Sequence, residues 1–273
     1  MESTNNTPVD PIRPVAPYLG GKRNLAKRVC AIIDADDHTT YAEPFVGMGG
    51  IFLRRTRRPS AEFINDYGRE VHNLFRILQE HYVAFLDIMR FQLTTQANFN
   101  RLLNTDPETL TDLQRAARFL YLQRTAFGGK PFRQNFGISC DRPSRFNISS
   151  LKDDLEALHD RLCGVTITCL NYDIFIQKID HCDAFFYLDP PYWGCETDYG
   201  KLLFERDDFQ RIADQLGKIK GRFLMSINDV GEIREMFARY FIVPMTTSYS
   251  VGTNNKNNIN RAELLVSNFA WVK

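Results

Sequence analysis

Two apolar patterns alternate along this chain. Short continuous runs, such as Ala184-Phe185-Phe186-Tyr187-Leu188 and Phe223-Leu224-Met225-Ser226-Ile227, have the length and composition of buried strands. Longer stretches repeat their apolar residues at helical spacing. Leu25, Val29, Ile32 and Ile33 share one face of a helix over 22–33. The same reading gives strands over 40–43, 61–66 and 165–170. It gives further helices from Ile51 and over 71–89, 151–162, 207–219 and 231–239. Two strands near 241–249 and 262–270 close the chain, with an Asn-rich loop from Gly252 to Asn260 between them. The alternation fails over 76–150, which looks helical (Leu113 to Arg124) and then turns Gly-, Pro- and Arg-rich up to Ser150. The pattern predicts an α/β open sheet with a mostly helical insertion. Residues 1–14 are polar and Pro-containing and are expected to be disordered or loosely held.

Length allows one large domain or one and a half, at 273 residues. No apolar run reaches the roughly 18 residues that span a membrane. The polar N-terminus lacks the hydrophobic segment of a secretory leader, so a cytoplasmic protein is expected. Six cysteines (30, 140, 163, 169, 182, 195) form no C-x-x-C pair and read as free thiols. The histidines show no metal-ligand spacing, and no metal site is expected. A net charge of +1 announces no polyanionic partner, but its distribution does. Seven Lys/Arg and one acid lie between Arg115 and Arg145, interleaved with Phe, Gly, Gln and Asn. That mixture suits phosphate neutralisation and base-edge contacts. The shorter cluster Arg54-Arg55-Thr56-Arg57-Arg58 reads first as a solvated face.

The chemistry concentrates after the run 184–188, at Asp189-Pro190-Pro191-Tyr192. A carboxylate, two rigid prolines and an aromatic at a strand end suit methylation of a base's exocyclic amine. That nitrogen is a poor nucleophile because its lone pair is delocalised into the ring. Asp189 and the Pro190 carbonyl could accept its two N–H groups, and proline's fixed φ holds that carbonyl in place. Tyr192 offers a face on which a base can stack. Upstream, Gly47, Gly49 and Gly50 follow a strand end and let a ligand approach the backbone. Asp66 ends the next strand and can accept both ribose hydroxyls of a nucleoside cofactor. Turn and acid together fit NAD as well as S-adenosylmethionine. The form Glu43-Pro44-Phe45-x-Gly-x-Gly, the lack of nicotinamide chemistry elsewhere, and Asp189 at the same sheet edge favour S-adenosylmethionine. Lys22, in Pro17-Tyr18-Leu19-Gly20-Gly21-Lys22, is a candidate for the methionine carboxylate, against the bland alternative of an exposed lysine at a helix start.

These segments together resemble the Dam-like, D12-class DNA adenine-N6 methyltransferases of the α group. Residues 17–22 look like the family's GGK motif, Glu43 to Gly50 like its E-P-F-x-G-x-G loop, and Ile64-Asn65-Asp66 like its ribose-binding acid. Asn171-Tyr172-Asp173 resembles the segment lining the cofactor's adenine, Asp189 to Tyr192 matches D-P-P-Y, and Ser226 to Asp229 resembles the segment after the next strand. The resemblance covers roughly 15–270. It implies a Rossmann-like S-adenosylmethionine-dependent methyltransferase fold, with 15–75 and 151–273 catalytic and 76–150 a target-recognition domain. Asp189, Pro190, Pro191 and Tyr192 would then be catalytic. Tyr18, Lys22, Glu43, Pro44, Phe45, Gly47, Gly49, Asp66, Tyr172, Asp173 and Asp189 would bind the cofactor. The residue types of the basic stretch assign Arg124, Lys130, Arg133, Gln134, Asn135, Arg142 and Arg145 to DNA. The stretch 125–130 lacks the asparagine-rich pattern of the GATC-reading members, so that specificity is not carried over.

The reading is methyl transfer from S-adenosylmethionine to the N6 amine of an adenine flipped out of double-stranded DNA at a short specific sequence. Trp193, Phe127 and Phe132 are candidate flanking or wedging aromatics, although such a residue is more often core. An RNA adenine methyltransferase would share the motif but not the basic insertion. A cytosine-N4 enzyme usually begins the motif with Ser, and a relic DNA-binding module would not need intact Lys22, Asp66 and Asp189. The sequence is silent on the recognition site and on a restriction endonuclease partner. A monomer is the default expectation.

Overall fold

The structure, a computed structural model, describes residues 7–129, 134–138, 144, 146–196, 203–250 and 258–271. In chain order its first elements are β1 (Thr7–Pro8), α1 (Ala26–Asp34), β2 (Thr40–Glu43), a 3-10 turn (Phe52–Arg54), β3 (Arg57–Arg58) and β4 (Ala61–Asn65). Helices α2 (Arg69–Glu80), α3 (Tyr82–Met89), α4 (Gln96–Asn104), α5 (Asp112–Thr125) and α6 (Ile148–Leu162) follow. The chain then alternates through β5 (Thr166–Thr168), α7 (Tyr172–Ile179), β6 (Ala184–Leu188), α8 (Asp208–Leu216), β7 (Arg222–Asn228) and α9 (Gly231–Met236). It closes with the hairpin β8 (Phe241–Ser250) and β9 (Asn258–Ser267).

Seven strands form one sheet in the order β5-β4-β2-β6-β7-β9-β8. Strands β5, β4, β2, β6 and β7 run parallel, and β9 lies antiparallel between β7 and β8. All five residues of β6 are buried, as a parallel strand covered on both faces requires. From β2 the chain winds outward through β4 to β5, then crosses back to β6 and winds the other way. The order therefore reverses between β2 and β6, where an open α/β sheet leaves a crevice at its strands' carboxyl ends.

Helices α3, α4 and α5 occupy the region where the strand pattern failed. Their buried Phe85, Met89, Phe99 and Leu120 join the same apolar cluster as Tyr41 and Ile64 of the sheet. Helix α5 begins with a full capping box, in which Thr111 and Gln114 satisfy each other's backbone N–H groups.

Five sequence expectations change. The helix expected over 71–89 is two helices, broken at His81 (φ −132°, ψ 33°). Gln79 anchors the first by donating to the Leu162 and Val165 carbonyls, while Phe85 and Met89 of the second enter the core. The helix expected from Ile51 is a single 3-10 turn, because Arg55 turns extended and buries its whole side chain. There Arg55 lies 3.7 Å from the Tyr41 ring centroid and 3.1 Å from Glu62, which also binds Arg161 at 2.6 Å. The basic cluster is thus partly a buried ion network and not simply a solvated face. Residues 7–14, exposed or half-buried, are tied to the fold, while 1–6 lie outside the described residues: β1 pairs with β3, the Ile12 N–H donates to the Leu53 carbonyl, and Arg13 pairs with Asp154. Finally, β9 starts at Asn258, so the last three residues of the expected Asn-rich loop belong to a strand, while 251–257 lie outside the described residues.

Candidate active site

Three neighbouring strand ends build the site. After β2 the chain turns through Pro44 to Gly50, with Gly47 at φ +50° and Gly49 at φ +74°, values that favour glycine. The Val46 N–H donates to the Asn65 carbonyl, tying this turn to the end of β4. Asn65 is buried and clasps both sides: its amide donates to the Pro44 and Leu170 carbonyls at 3.0 Å each, and its oxygen accepts from Leu170 N–H at 2.8 Å. Asp66 follows. Its Oδ2 accepts the Gly47 N–H at 2.9 Å and its Oδ1 the Gly68 N–H at 2.7 Å. Burial pushes its carboxyl up to about 6, against the pull of those two N–H groups.

At the end of β6, Asp189 meets Lys22. The ammonium lies 2.7 Å from Asp189 Oδ1, donates to the Tyr192 hydroxyl at 2.8 Å and to the Gly20 carbonyl at 3.3 Å. Lys22 is 1% exposed, so it is a buried clamp under the Asp-Pro-Pro-Tyr segment and not an exposed lysine at a helix start. Its burial also explains why α1 begins only at Ala26: the preceding residues turn to bring Lys22 inward. Ser226 of β7 donates to Asp189 Oδ1 at 3.1 Å and bonds the Tyr187 hydroxyl at 2.7 Å. Burial raises the Asp189 carboxyl above the usual carboxylate range, and the Lys22 ammonium opposes that rise. Asn228 brackets Trp193, accepting its N–H at 2.9 Å and donating to its carbonyl at 3.1 Å. Tyr187 carries no sequence signal, and Ser226 is marked in the sequence only as part of a segment resembling a family motif, with no partner assigned. Their contact with each other, and that of Ser226 with Asp189, exists only once β6 and β7 are paired.

Glu43, at the end of β2, is buried and accepts the Tyr41 phenol at 2.6 Å. Burial pushes its carboxyl up to about 8, with that hydrogen bond and the Arg55 guanidinium acting in the opposite direction. Lys22, Glu43, Gly47, Asp66, Tyr187 and Asp189 border one cavity of about 1640 Å³, more than the roughly 300–1,000 Å³ usual for a single small ligand. Tyr18, Phe45 and Tyr172 line it as the sequence suggested, and Phe204, which the sequence reading did not single out, joins them. Phe204 sits edge-on to Phe45 at 6.0 Å between ring centroids. The Tyr172 hydroxyl donates to Asp208 at 2.9 Å. Asp173 is exposed, and its carboxylate accepts the Ile174 N–H at 2.6 Å, apart from the cavity. Pro191 lines the cavity, and Pro190 is buried beneath it.

The residues assigned to DNA divide. Arg124 is held by the Val15 carbonyl, and burial lowers its guanidinium pKa. Gln134 is buried and donates to Gln123 Oε1 at 3.1 Å, while Gln123 itself donates to the Pro17 and Gly129 carbonyls. Both therefore tie the insertion to the segment leading into Lys22. Asn135 is exposed beside an antiparallel bridge between Ala126 and Phe136. Lys130, Phe132, Arg133, Arg142 and Arg145 lie outside the described residues. Phe127 is 63% exposed, whereas Trp193 packs 5.1 Å from Phe209 with Arg206 4.2 Å from its ring centroid.

Among the described residues, one group could gather metal-binding atoms: His181, Cys182 and Asp183. Both His181 ring nitrogens are engaged, one with Thr40 and one by the Asp183 N–H. Among the described residues the cysteines are free, and no helix is long and apolar enough to cross a membrane.

A family model describing D12 class N6 adenine-specific DNA methyltransferases matches residues 18–251. The chain is 25% identical over 265 residues to the type II methyltransferase M.CviBI of Paramecium bursaria Chlorella virus NC1A, covering 94% of this chain and all of that protein. It is 23% identical to the type II methyltransferase M1.LlaDCHI of Lactococcus lactis subsp. cremoris, covering 94% of this chain and 96% of that protein. The retron Ec67 DNA adenine methylase of Escherichia coli is 22% identical over 84% of both chains.

Proposed function

Because the chain belongs to the D12 class N6 adenine-specific DNA methyltransferases, we propose that it uses S-adenosylmethionine to methylate an adenine flipped from double-stranded DNA within a short specific sequence. The observation that carries this reading is the Lys22–Asp189–Tyr192 clamp, whose Lys22 and Asp189 line the same cavity as the glycine turn and Asp66.

The residues fit the cofactor. A Cβ at Gly47 would come within 3.1 Å of the Tyr18 ring, so the turn keeps backbone bare where a ligand must approach. Asp66 offers lone pairs to ribose hydroxyls while two N–H groups hold it still. Tyr18, Phe45, Tyr172 and Phe204 give apolar walls for a nucleoside ring. When bound, S-adenosylmethionine supplies a methyl group activated by its sulfonium.

Asp189 and the Pro190 carbonyl accept the two N–H groups of the target amine and localise its lone pair. Lys22 and Ser226 fix the Asp189 carboxylate, so acceptors are in place before the base arrives. Lys22 also pins the Tyr192 hydroxyl and with it the ring on which the base stacks. The amine proton departs after transfer, and no strong general base is needed. The cavity exceeds one ligand's volume, consistent with cofactor and base meeting inside it. Residues 76–150 act as the target-recognition domain, with 15–75 and 151–273 as the catalytic domain.

Transfer of tritium from labelled S-adenosylmethionine to duplex DNA, with RNA as the competitor substrate, tests the proposal. Label in N6-methyladenine of DNA is expected, and methylation-sensitive long-read sequencing would give its site. Label in RNA alone, or in cytosine, would overturn it.

A further inference from the structure

The cavity floor brings two carboxyls together with one contacting cation. Asp189 has the Lys22 ammonium at 2.7 Å. Glu43, from the adjacent strand, is 2% exposed and lines the same cavity. Its Oε1 accepts the Tyr41 phenol, and its Oε2 has no hydrogen-bond partner among the described residues. The two guanidiniums whose charge reaches it are committed elsewhere: Arg55 lies 3.1 Å from Glu62, and Arg161 2.6 Å. The other titratable groups facing Glu43 are Cys30 from α1, Tyr41 from β2 and Tyr187 from β6. Burial keeps all three protonated. Asp189 adds a like charge. A second carboxylate in this cavity thus has no cation to pair with, and a buried unpaired charge holds its proton instead.

We propose that Glu43 gives up its proton when a sulfonium enters the cavity, so that the chain binds S-adenosylmethionine with release of a proton and discriminates it from the uncharged thioether S-adenosylhomocysteine. The proposal rests on the cofactor reading above. The Glu43 O–H bond breaks, the proton passes to solvent, and the carboxylate faces the sulfonium without forming a bond to it. After methyl transfer the ligand is a neutral thioether, Glu43 takes a proton back, and the charge match that held the cofactor is gone. The acid that opens the Glu-Pro-Phe turn would thereby favour substrate over product.

The effect of the cation follows from linkage. A group that binds one proton fewer in the complex makes affinity rise about tenfold per pH unit while the free protein is protonated, and level off above its pKa. S-adenosylhomocysteine carries the same α-amino group and the same ribose against Asp66, so the ratio of the two affinities isolates Glu43. Calorimetric titration of the full chain at pH 7, in phosphate and in Tris, counts protons from the dependence of heat on buffer ionisation. About one more proton should be released with S-adenosylmethionine than with S-adenosylhomocysteine. The affinity ratio should climb about tenfold per unit from about pH 6 and flatten above about pH 8. In Glu43→Gln, which keeps the acceptor for Tyr41, the extra proton and the pH dependence of the ratio should both vanish. Equal proton counts and a pH-independent ratio in the unmodified chain would overturn the proposal, whether or not the variant folds. Retention of the extra proton by a folded Glu43→Gln protein would overturn it as well. Failure of either ligand to bind would instead sink the cofactor reading itself.

Discussion

At the residue scale, the acceptor role of Asp189 makes a sharp prediction. Asp189→Ala should abolish methylation while leaving DNA binding and the fold largely intact, measured by label transfer beside circular dichroism. Near-normal turnover would remove Asp189 from the chemistry. Lys22 would then be a buried ammonium without its carboxylate, so Asp189→Asn is the gentler companion and should be equally inactive. Tyr192→Ala should be severely impaired. Tyr192→Phe keeps the ring but loses the bond from Lys22, and should lose activity by the worth of one charged hydrogen bond, about 1.5–3 kcal/mol. Equal loss in both variants would mean that the phenol, and not the stacking face, is what matters. Asp66→Ala removes the acceptor for two ribose hydroxyls and for the Gly47 and Gly68 N–H groups together. Cofactor affinity should fall roughly ten- to hundredfold, with a lower Tm. Unchanged affinity by calorimetry would take Asp66 out of the site.

At the scale of elements, the cofactor turn is a backbone device. Gly49 has φ +74°, and a Cβ there would lie 2.8 Å from the Leu53 side chain, one turn into the 3-10 segment. Gly49→Ala should therefore destabilise the protein by at least about 1–2 kcal/mol and weaken cofactor binding. An unchanged Tm would show that the turn adapts. The insertion behaves differently from its sequence description. Arg124 and Gln134 have the planar, multi-donor groups that read base edges, but they are spent on Val15 and Gln123. Their alanine variants should lower Tm more than they alter sequence preference. Arg133 and the exposed Asn135 remain the candidates for base contact. Replacing either should relax discrimination at one base pair by about 1–3 kcal/mol, read from a randomised DNA library. A clean loss of specificity in Arg124→Ala at constant Tm would reverse this division.

At the scale of the whole molecule, the charge that matters is local. The chain is nearly neutral overall, and within the insertion the stretch 115–145 holds seven Lys/Arg against one acid. Lys130, Arg142 and Arg145 should act on phosphates. Replacing one should weaken binding to every sequence alike and lower the salt slope of binding by about one unit. If no change over 124–147 affects either preference or slope, recognition resides elsewhere, and the Asn-rich segment before β9 becomes the leading candidate.

The sequence by itself determined the motifs and their order. Asp189-Pro190-Pro191-Tyr192 after a buried run, the Glu43-to-Gly50 turn and Asp66 are local patterns, each written in contiguous residues whose backbone preferences place them at strand ends. It also located the helical insertion, because losing one periodicity for another over 76–150 is visible without contacts. It did not show that Lys22 would be buried against Asp189, 167 positions away, or that Ser226, itself bonded to Tyr187, would hold the same carboxylate. Nor did it separate Arg55, wholly buried, from the arginines beside it. Those facts depend on which strand lies beside which. Burial and pairing of charges are properties of the packed sheet, fixed only when the chain crosses from β5 back to β6 and brings distant side chains into one low-dielectric cavity, whereas turns and strand ends are set by the few residues that form them.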